Sequence, residues 1–169
     1  LNSPLDEIKT IAFSPDGTKI ASGAFNGLRL WSLADETLLQ EYKDLLTDSV
    51  SFSPDGTILA STGFYPNWAI WLHRVSDGSL IQKLEDHTNL IYDLTFSPDG
   101  SILASGSLDG TVRLWSASDW TLLETLKERH THNMNATSAP SIRRHWNGSH
   151  FRTSPSALLL AQAMRRYPF

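Results

Sequence analysis

Cysteine is absent from the 169 residues, and this absence excludes several kinds of chemistry. Without thiols the chain forms no disulfide, offers no thiolate ligand to a metal and carries no cysteine nucleophile. Long apolar runs are also missing, and the first residues, LNSPLDEIKT, lack the basic and apolar regions of a secretion signal. We therefore expect a cytoplasmic protein with no membrane partner.

Basic residues are scarce in most of the chain and concentrated at its end. Residues 1–126 contain 7 Lys and Arg against 17 Asp and Glu, a net charge of −10, whereas residues 127–169 contain 7 against 1, a net charge of +6. An acidic region repels the phosphate backbone, whose neutralisation by Lys and Arg normally drives nucleic-acid binding. We expect no nucleic-acid partner, and we expect two regions of different origin.

One sequence pattern occurs three times in the acidic region. The copies are IAFSPDGTKIASGA at 11–24, VSFSPDGTILASTG at 50–63 and DLTFSPDGSILASG at 93–106. In each copy, the turn Ser-Pro-Asp-Gly separates two apolar runs. Proline fixes φ at the first central position of this turn and glycine accepts the positive φ that closes it, so each copy predicts a β-hairpin.

Two further strands are predicted after each hairpin. The third apolar run ends in LRLW or VRLW in two of the copies, and a fourth run follows a short connection. The fourth runs are TLLQEY at 37–42, SLIQKL at 79–84 and TLLETL at 121–126. Aligning them places Trp31, His73 and Trp115 at one position, 42 residues apart each time. This period is typical of β-propeller blades. The predicted four-stranded antiparallel blades span about 5–42, 43–84 and 85–126.

The motifs FSPDG, ASGSLDG and VRLW resemble those of the tryptophan-aspartate (WD) repeat family, and the resemblance covers about residues 5–131. It implies an all-β propeller, here an incomplete ring because closure takes about four to eight blades. In that family a His, a Ser or Thr, an Asp and a Trp form a hydrogen-bonded tetrad within a blade. The third repeat contains all four residue types and the other two contain parts of the set. The candidates are His87, Ser105, Asp109 and Trp115, then Ser22, Asn26 and Trp31, then Ser61 and Asn67.

Ser, His and Asp together also suggest a catalytic triad. However, the chain has no GxSxG motif, and a buried imidazole needs partners for both ring nitrogens, which Asp and Ser supply. We therefore interpret the tetrad as structural and the protein as a non-enzyme without cofactors. One aspartate in each SPDG turn supplies too few oxygen ligands for calcium, so no metal site is expected.

The loops between the second and third strands, and between successive blades, form the predicted contact surface. The resemblance places these loops at the end of the propeller most used for partners, and loop variation on a rigid scaffold normally determines specificity. The enlarged loop FYPNW, residues 64–68, concentrates three aromatic side chains, which suit an interaction hot spot. Alternatively, Phe64 and Trp68 fold inward against a neighbouring blade. The predicted partner-binding residues are Phe25, Phe64, Tyr65, Trp68, Asn89 and Leu108.

The repeat pattern ends after LKERHTH, and residues 127–169 contain no alternating strand run. We expect a basic, disordered tail or the degenerate start of a fourth blade, and a reading-frame change is a further explanation. Its irregularly spaced histidines argue against a metal site. Three blades leave two apolar faces open, which predicts either a fragment of a larger propeller or self-association through the open blade edges.

The leading functional prediction is a protein-interaction scaffold or adaptor whose partners are other proteins or peptides. One alternative is the regulatory propeller portion of a larger signalling protein. The other is a propeller hydrolase, which needs several acids or histidines on its first strands. Only Asp48 and Asp93 qualify there.

Overall fold

The computed structural model describes residues 7–43, 45–63 and 68–127, and the elements in these ranges are all β-strands. Twelve described strands form three four-stranded sheets, and sequence neighbours pair in antiparallel order within each sheet. The predicted all-β architecture of three blades is therefore confirmed. Predictions for the tail beyond Lys127 lie outside the described residues. Within the described ranges, no helix is long and apolar enough to cross a membrane.

We number the sheets blade one, blade two and blade three in chain order. Blade one contains β1 to β4, with bounds Ile8–Phe13, Lys19–Ala24, Gly27–Ser32 and Leu38–Lys43. Blade two contains β5 to β8, with bounds Val50–Phe52, Ile58–Thr62, Ile70–Arg74 and Leu80–Leu84. Blade three contains β9 to β12, with bounds Ile91–Phe96, Ile102–Ser107, Thr111–Ser116 and Leu122–Lys127.

The turn between the first two strands of each blade is held by side chains as well as by its backbone. In blade one, Gly17 N–H donates to the Ser14 carbonyl at 2.9 Å, and the Ser14 hydroxyl donates to Asp16 Oδ1 at 2.6 Å. Together with bonds from Thr18, this hydroxyl lowers the pKa of Asp16 to about 2. Gly17 has φ +68°, a region that glycine enters without strain. Equivalent bonds recur in the other two blades, so the hairpins predicted from SPDG are formed.

The third and fourth strands of each blade shift register at one shared position. The shifts lie immediately before Trp31, His73 and Trp115. In the connection that follows, one residue per blade has a positive φ. These residues are Glu36 at 56°, Gly78 at 73° and Trp120 at 62°. His73 therefore occupies the place that the two tryptophans occupy in the other blades, as the 42-residue spacing predicted.

The core lies between the blades. Between blades one and two, Ala21, Leu28 and Leu30 pack against Val50, Phe52 and Leu59. Between blades two and three, Ala60, Ile70 and Leu72 pack against Leu94, Leu103 and Trp115. Each blade thus has a front face, directed toward the preceding blade, and a back face, directed toward the following one. Burial of each large apolar side chain in these layers stabilises the fold by roughly 1.5–3 kcal/mol.

The two outermost faces differ from each other. On the front face of blade one, Ile11 is 60% exposed and Phe13 is 62% exposed. On the back face of blade three, Ala104, Val112 and Leu114 are only 1–3% exposed. Neither face packs against another blade within the described part of the chain.

Candidate functional site

Four side chains of blade three form one continuous hydrogen-bonded network. His87 Nδ1 lies 2.8 Å from Asp109 Oδ2, and His87 Nε2 lies 2.8 Å from Ser105 Oγ. Trp115 Nε1–H donates to the same Ser105 oxygen at 3.0 Å. The structure therefore brings together all four tetrad candidates of the third repeat, and they connect the loop before β9 to β10, β11 and the turn between them.

The protonation states in this network follow from burial and hydrogen bonding. Burial lowers the pKa of His87, against the opposing effect of Asp109, so the imidazole is neutral at pH 7. Partial burial alone would raise the pKa of Asp109, but hydrogen bonds from Thr111, His87 and Thr88 outweigh it and lower that pKa to about 2. A neutral histidine thus donates Nδ1–H to the charged Asp109 carboxylate and accepts the Ser105 O–H at Nε2. The bond to the carboxylate is charge-assisted, although His87 and Asp109 do not form an ion pair.

The order Asp109, His87, Ser105 is also that of a catalytic triad, and burial separates the two interpretations. Ser105 has no exposed surface, and His87 is 4% exposed. A nucleophilic oxygen must reach its substrate, whereas Ser105 Oγ is enclosed and already bonded to His87 and Trp115. This geometry allows Ser105 to hold the strands of the blade together through hydrogen bonds. It gives the hydroxyl no route to a substrate.

Blade one contains part of the same arrangement. Trp31 Nε1–H donates to Ser22 Oγ at 3.0 Å, as the equivalent pair does in blade three. Asn26 stands where blade three has its aspartate, and its side-chain oxygen accepts a hydrogen bond from Arg29 at 3.2 Å. Blade one contains no histidine equivalent to His87, so the imidazole that connects the serine to this turn in blade three is missing here.

Blade two lacks the network at its centre. The Ser61 hydroxyl is fully buried, and within the described residues it has no hydrogen-bond partner. His73 supplies no indole N–H, and its buried Nδ1 is likewise unpartnered there. The His73 ring lies 4.3 Å from the Tyr42 ring, centre to centre, and burial lowers its pKa. Buried polar atoms without partners cost free energy, so blade two is less firmly tied than blade three.

At one end of blade three, the loop before β9 is bonded to the turn between β10 and β11. Leu108 N–H donates to the Leu90 carbonyl at 2.8 Å, and the Ser107 hydroxyl donates to the Asn89 carbonyl at 3.0 Å. Asp109 N–H in turn donates to Ser107 Oγ at 3.1 Å. Leu108 is 50% exposed and Asn89 is exposed. We call the surface formed by Asn89 and Leu108 the loop end of blade three.

The predicted aromatic contact residues differ in their surroundings. Phe25 is half-buried, with the Lys9 ammonium 4.4 Å from the centre of its ring. Trp68 is half-buried and has φ +44°, which is uncommon outside glycine. The loop that contains it is closed at its base, because Gly63 N–H donates to the Ala69 carbonyl at 2.7 Å. Outside the described residues lie Phe64, Tyr65 and Asn67, whose roles stay predictions.

Sequence reasoning missed two residues near this end of blade three. Thr111 donates both its N–H and its hydroxyl to Asp109 Oδ1, at 2.9 and 2.5 Å. The Asp-x-Thr spacing also occurs in the SPDG turns and could have indicated this contact. Tyr92 is 39% exposed and follows the buried Ile91, so the alternation along β9 could have indicated its exposure.

Of the two acids considered for a hydrolase, Asp93 lies at the junction between blades two and three. The Ser49 hydroxyl lies 3.3 Å from Asp93 Oδ1 and also accepts Leu94 N–H at 3.3 Å, which joins blade two to blade three. Burial raises the pKa of both Asp48 and Asp93. In the described ranges, no group of three or more His, Asp or Glu side chains is arranged to hold a metal ion.

Comparison with known families agrees with this architecture. The family model of the WD domain, G-beta repeat, matches residues 2–32 and 78–116. These matches, in the first and third repeats, support the resemblance to the WD-repeat family. The stretch between the two matched regions contains the second repeat, in which histidine stands at position 73 where the other two repeats have tryptophan.

Solved structures of WD-repeat proteins show the same fold. The crystal structure of RRP9 WD40 repeats has a TM-score of 0.69 and 21% sequence identity, over 77% of this chain and 41% of that one. The structure of U3-55K has a TM-score of 0.69 and 20% identity, over 77% of this chain and 42% of that one. The chain thus spans about two fifths of the length of either structure. The comparison with curated proteins gives no match.

Proposed function

We propose that these WD repeats form part of a protein-interaction module that binds a protein or peptide at the loop end of blade three and at the enlarged loop of blade two. The observation that carries the proposal is the exposed Leu108 side chain on a turn whose backbone is held by hydrogen bonds to the Leu90 carbonyl and the Ser107 hydroxyl. An apolar side chain that is ordered before binding loses little entropy when a partner covers it. Such side chains are suited to the centre of an interaction hot spot.

Charge and burial favour this function over the alternatives. Residues 1–126 have a net charge of −10, which favours a protein partner over a nucleic acid. The enclosed Ser105 hydroxyl gives a hydrolase no accessible nucleophile at the tetrad. We place the protein in the cytoplasm and expect the module to act without catalysis or a cofactor. A regulatory role within a larger signalling protein would use the same surface.

Affinity capture with matched variants tests the proposal. Leu108→Asp and Trp68→Ala alter the proposed surface, and Leu80→Asp alters a side chain of equal exposure, 51%, on the outer strand β8. We expect immobilised wild-type and Leu80→Asp proteins to capture the same proteins from a cell extract, and we expect both variants of the proposed surface to lose them. Proteins retained by Leu108→Asp but lost by Leu80→Asp would contradict the proposal.

A further inference from the structure

The hydrogen-bonded network of blade three holds a negative charge directly beside the exposed Leu108. The His87 imidazole is neutral at pH 7 and the Asp109 carboxylate is ionised, so the histidine does not cancel the charge of its partner. Asp109 follows Leu108 in the same turn, and its Oδ2 also accepts the Thr88 N–H at 3.2 Å. The turn that orders Leu108 therefore also fixes a carboxylate next to it.

Further carboxylates lie around this turn. The two segments that carry the loop end of blade three, residues 85–93 and 105–111, contain four Asp and Glu and no Lys or Arg. Glu85 forms an ion pair with Lys83 of β8. Three carboxylates thus determine the charge of this surface. They are Asp86, which is exposed, Asp93, which is half-buried, and Asp109.

Apolar and aromatic surface lies beside these charges. Leu108 is 50% exposed, and Tyr92, next to Asp93 on β9, is 39% exposed. The next base along the chain, Arg113, pairs with Ser105 on the two central strands, and its Nε and Nη1 are buried. A partner that covers this end therefore meets apolar surface within a field that attracts cations.

We propose that the peptide bound at the loop end of blade three is basic, an inference that rests on the proposed function. The peptide covers Leu108 with an apolar side chain and places a lysine or arginine beside Asp86. Opposite charges across an interface speed association and select the partner, whereas like charges are rejected. A nucleic acid would bring phosphates to the same carboxylates, which repel them.

A random peptide library displayed on phage and selected on the immobilised full chain tests the proposal. We expect the selected peptides to be enriched in Lys and Arg beside an apolar residue. Asp86→Asn should weaken their binding about two- to fivefold at low ionic strength, the range of one exposed ion pair, and added salt should remove the difference. Asp119→Asn neutralises an exposed carboxylate at the opposite end of the same blade and should bind as the wild type does.

Leu108→Asn removes the apolar contact without adding a charge, so it separates a basic partner from the proposed function. Selected peptides without an excess of Lys and Arg, or equal binding by Asp86→Asn and Asp119→Asn, would overturn the basic partner. If Leu108→Asn still abolished binding, the proposed function would stand. Binding that survives Leu108→Asn would refute both. Failure to select any peptide would also overturn the proposal, and self-association lost in Leu108→Asn would then identify a second copy as the occupant.

Discussion

At the scale of single residues, Ser61 and Ser105 show how neighbouring side chains change the role of a buried hydroxyl. Both serines occupy the same position of their blades and have no exposed surface. Ser105 is bonded to His87 and to Trp115, whereas the Ser61 hydroxyl has no partner within the described residues. The difference has two causes: His73 lacks the indole N–H that tryptophan supplies in the other blades, and the loop before β5 contains no histidine equivalent to His87.

Alanine substitution of these two serines should have different effects. Ser105→Ala leaves the Trp115 N–H and His87 Nε2 without partners, so we expect the free energy of unfolding to fall by about 1–3 kcal/mol. Ser61→Ala removes an unsatisfied buried hydroxyl and should be neutral or slightly stabilising. Urea unfolding of both variants measures the difference. Equal losses would show that the two hydroxyls are bonded alike.

Mild acid should destabilise the protein through its buried histidines. Burial lowers the pKa of both His73 and His87 from the ordinary 6.5. Below pH 6.5 the unfolded chain therefore binds more protons than the folded chain. The contribution of the two neutral histidines to the free energy of unfolding is complete above this pH and is progressively lost as the pH falls. The lowered pKa of Asp109 adds a second loss of stability, which begins only when the pH falls below 3.8, the ordinary pKa of an aspartate.

The variant His73→Phe isolates one of these two titrations. It removes one group that must remain neutral in the fold, so its melting temperature should fall less than that of the wild type between neutral and mildly acid pH. Thermal melts at matched ionic strength provide the comparison. An unchanged pH dependence in His73→Phe would show that this histidine does not contribute to acid destabilisation.

At the scale of elements, strands and turns followed from the sequence because each is specified locally. Proline and glycine specify the hairpin turns, and the 42-residue period placed His73 at the position of Trp31 and Trp115. Contacts that depend on the assembled sheets could not be predicted in the same way. The Ser61 hydroxyl, which has no hydrogen-bond partner within the described residues, is one example. The positive φ of Trp120, where blade two has glycine, was equally inaccessible from local pattern.

The connection between the third and fourth strands offers a test at this scale. Gly78 has φ +73°, and a Cβ there would lie 2.5 Å from Gln40 Oε1 of blade one. We expect Gly78→Ala to lower the free energy of unfolding by about 1–2 kcal/mol, mainly through the left-handed backbone. The exposed Glu36 has φ +56° at the equivalent position, so Glu36→Gly should be neutral or stabilising by up to about 1 kcal/mol. Denaturant unfolding in which Gly78→Ala matched the wild type would contradict this account of the turn.

At the scale of the whole molecule, the exposed front face of blade one should make the chain self-associate. Contiguous apolar side chains on an open sheet face favour association in water. Phe13→Asp introduces a charge into that face, so we expect it to weaken association, whereas Leu80→Asp, at similar exposure on blade two, should not. Sedimentation velocity over a range of protein concentrations measures both. A wild-type chain that stays monomeric at every concentration would contradict the prediction.

The loop end of blade three is the central functional claim, and the affinity of a captured partner for Leu108→Asp tests it most directly. If Leu108 is an ordered apolar contact, burying a carboxylate in its place should weaken binding at least about tenfold, or 1.4 kcal/mol, in a calorimetric titration. Leu80→Asp, the variant matched in exposure, should bind as the wild type does. Wild-type affinity in Leu108→Asp, with the fold intact, would contradict the claim.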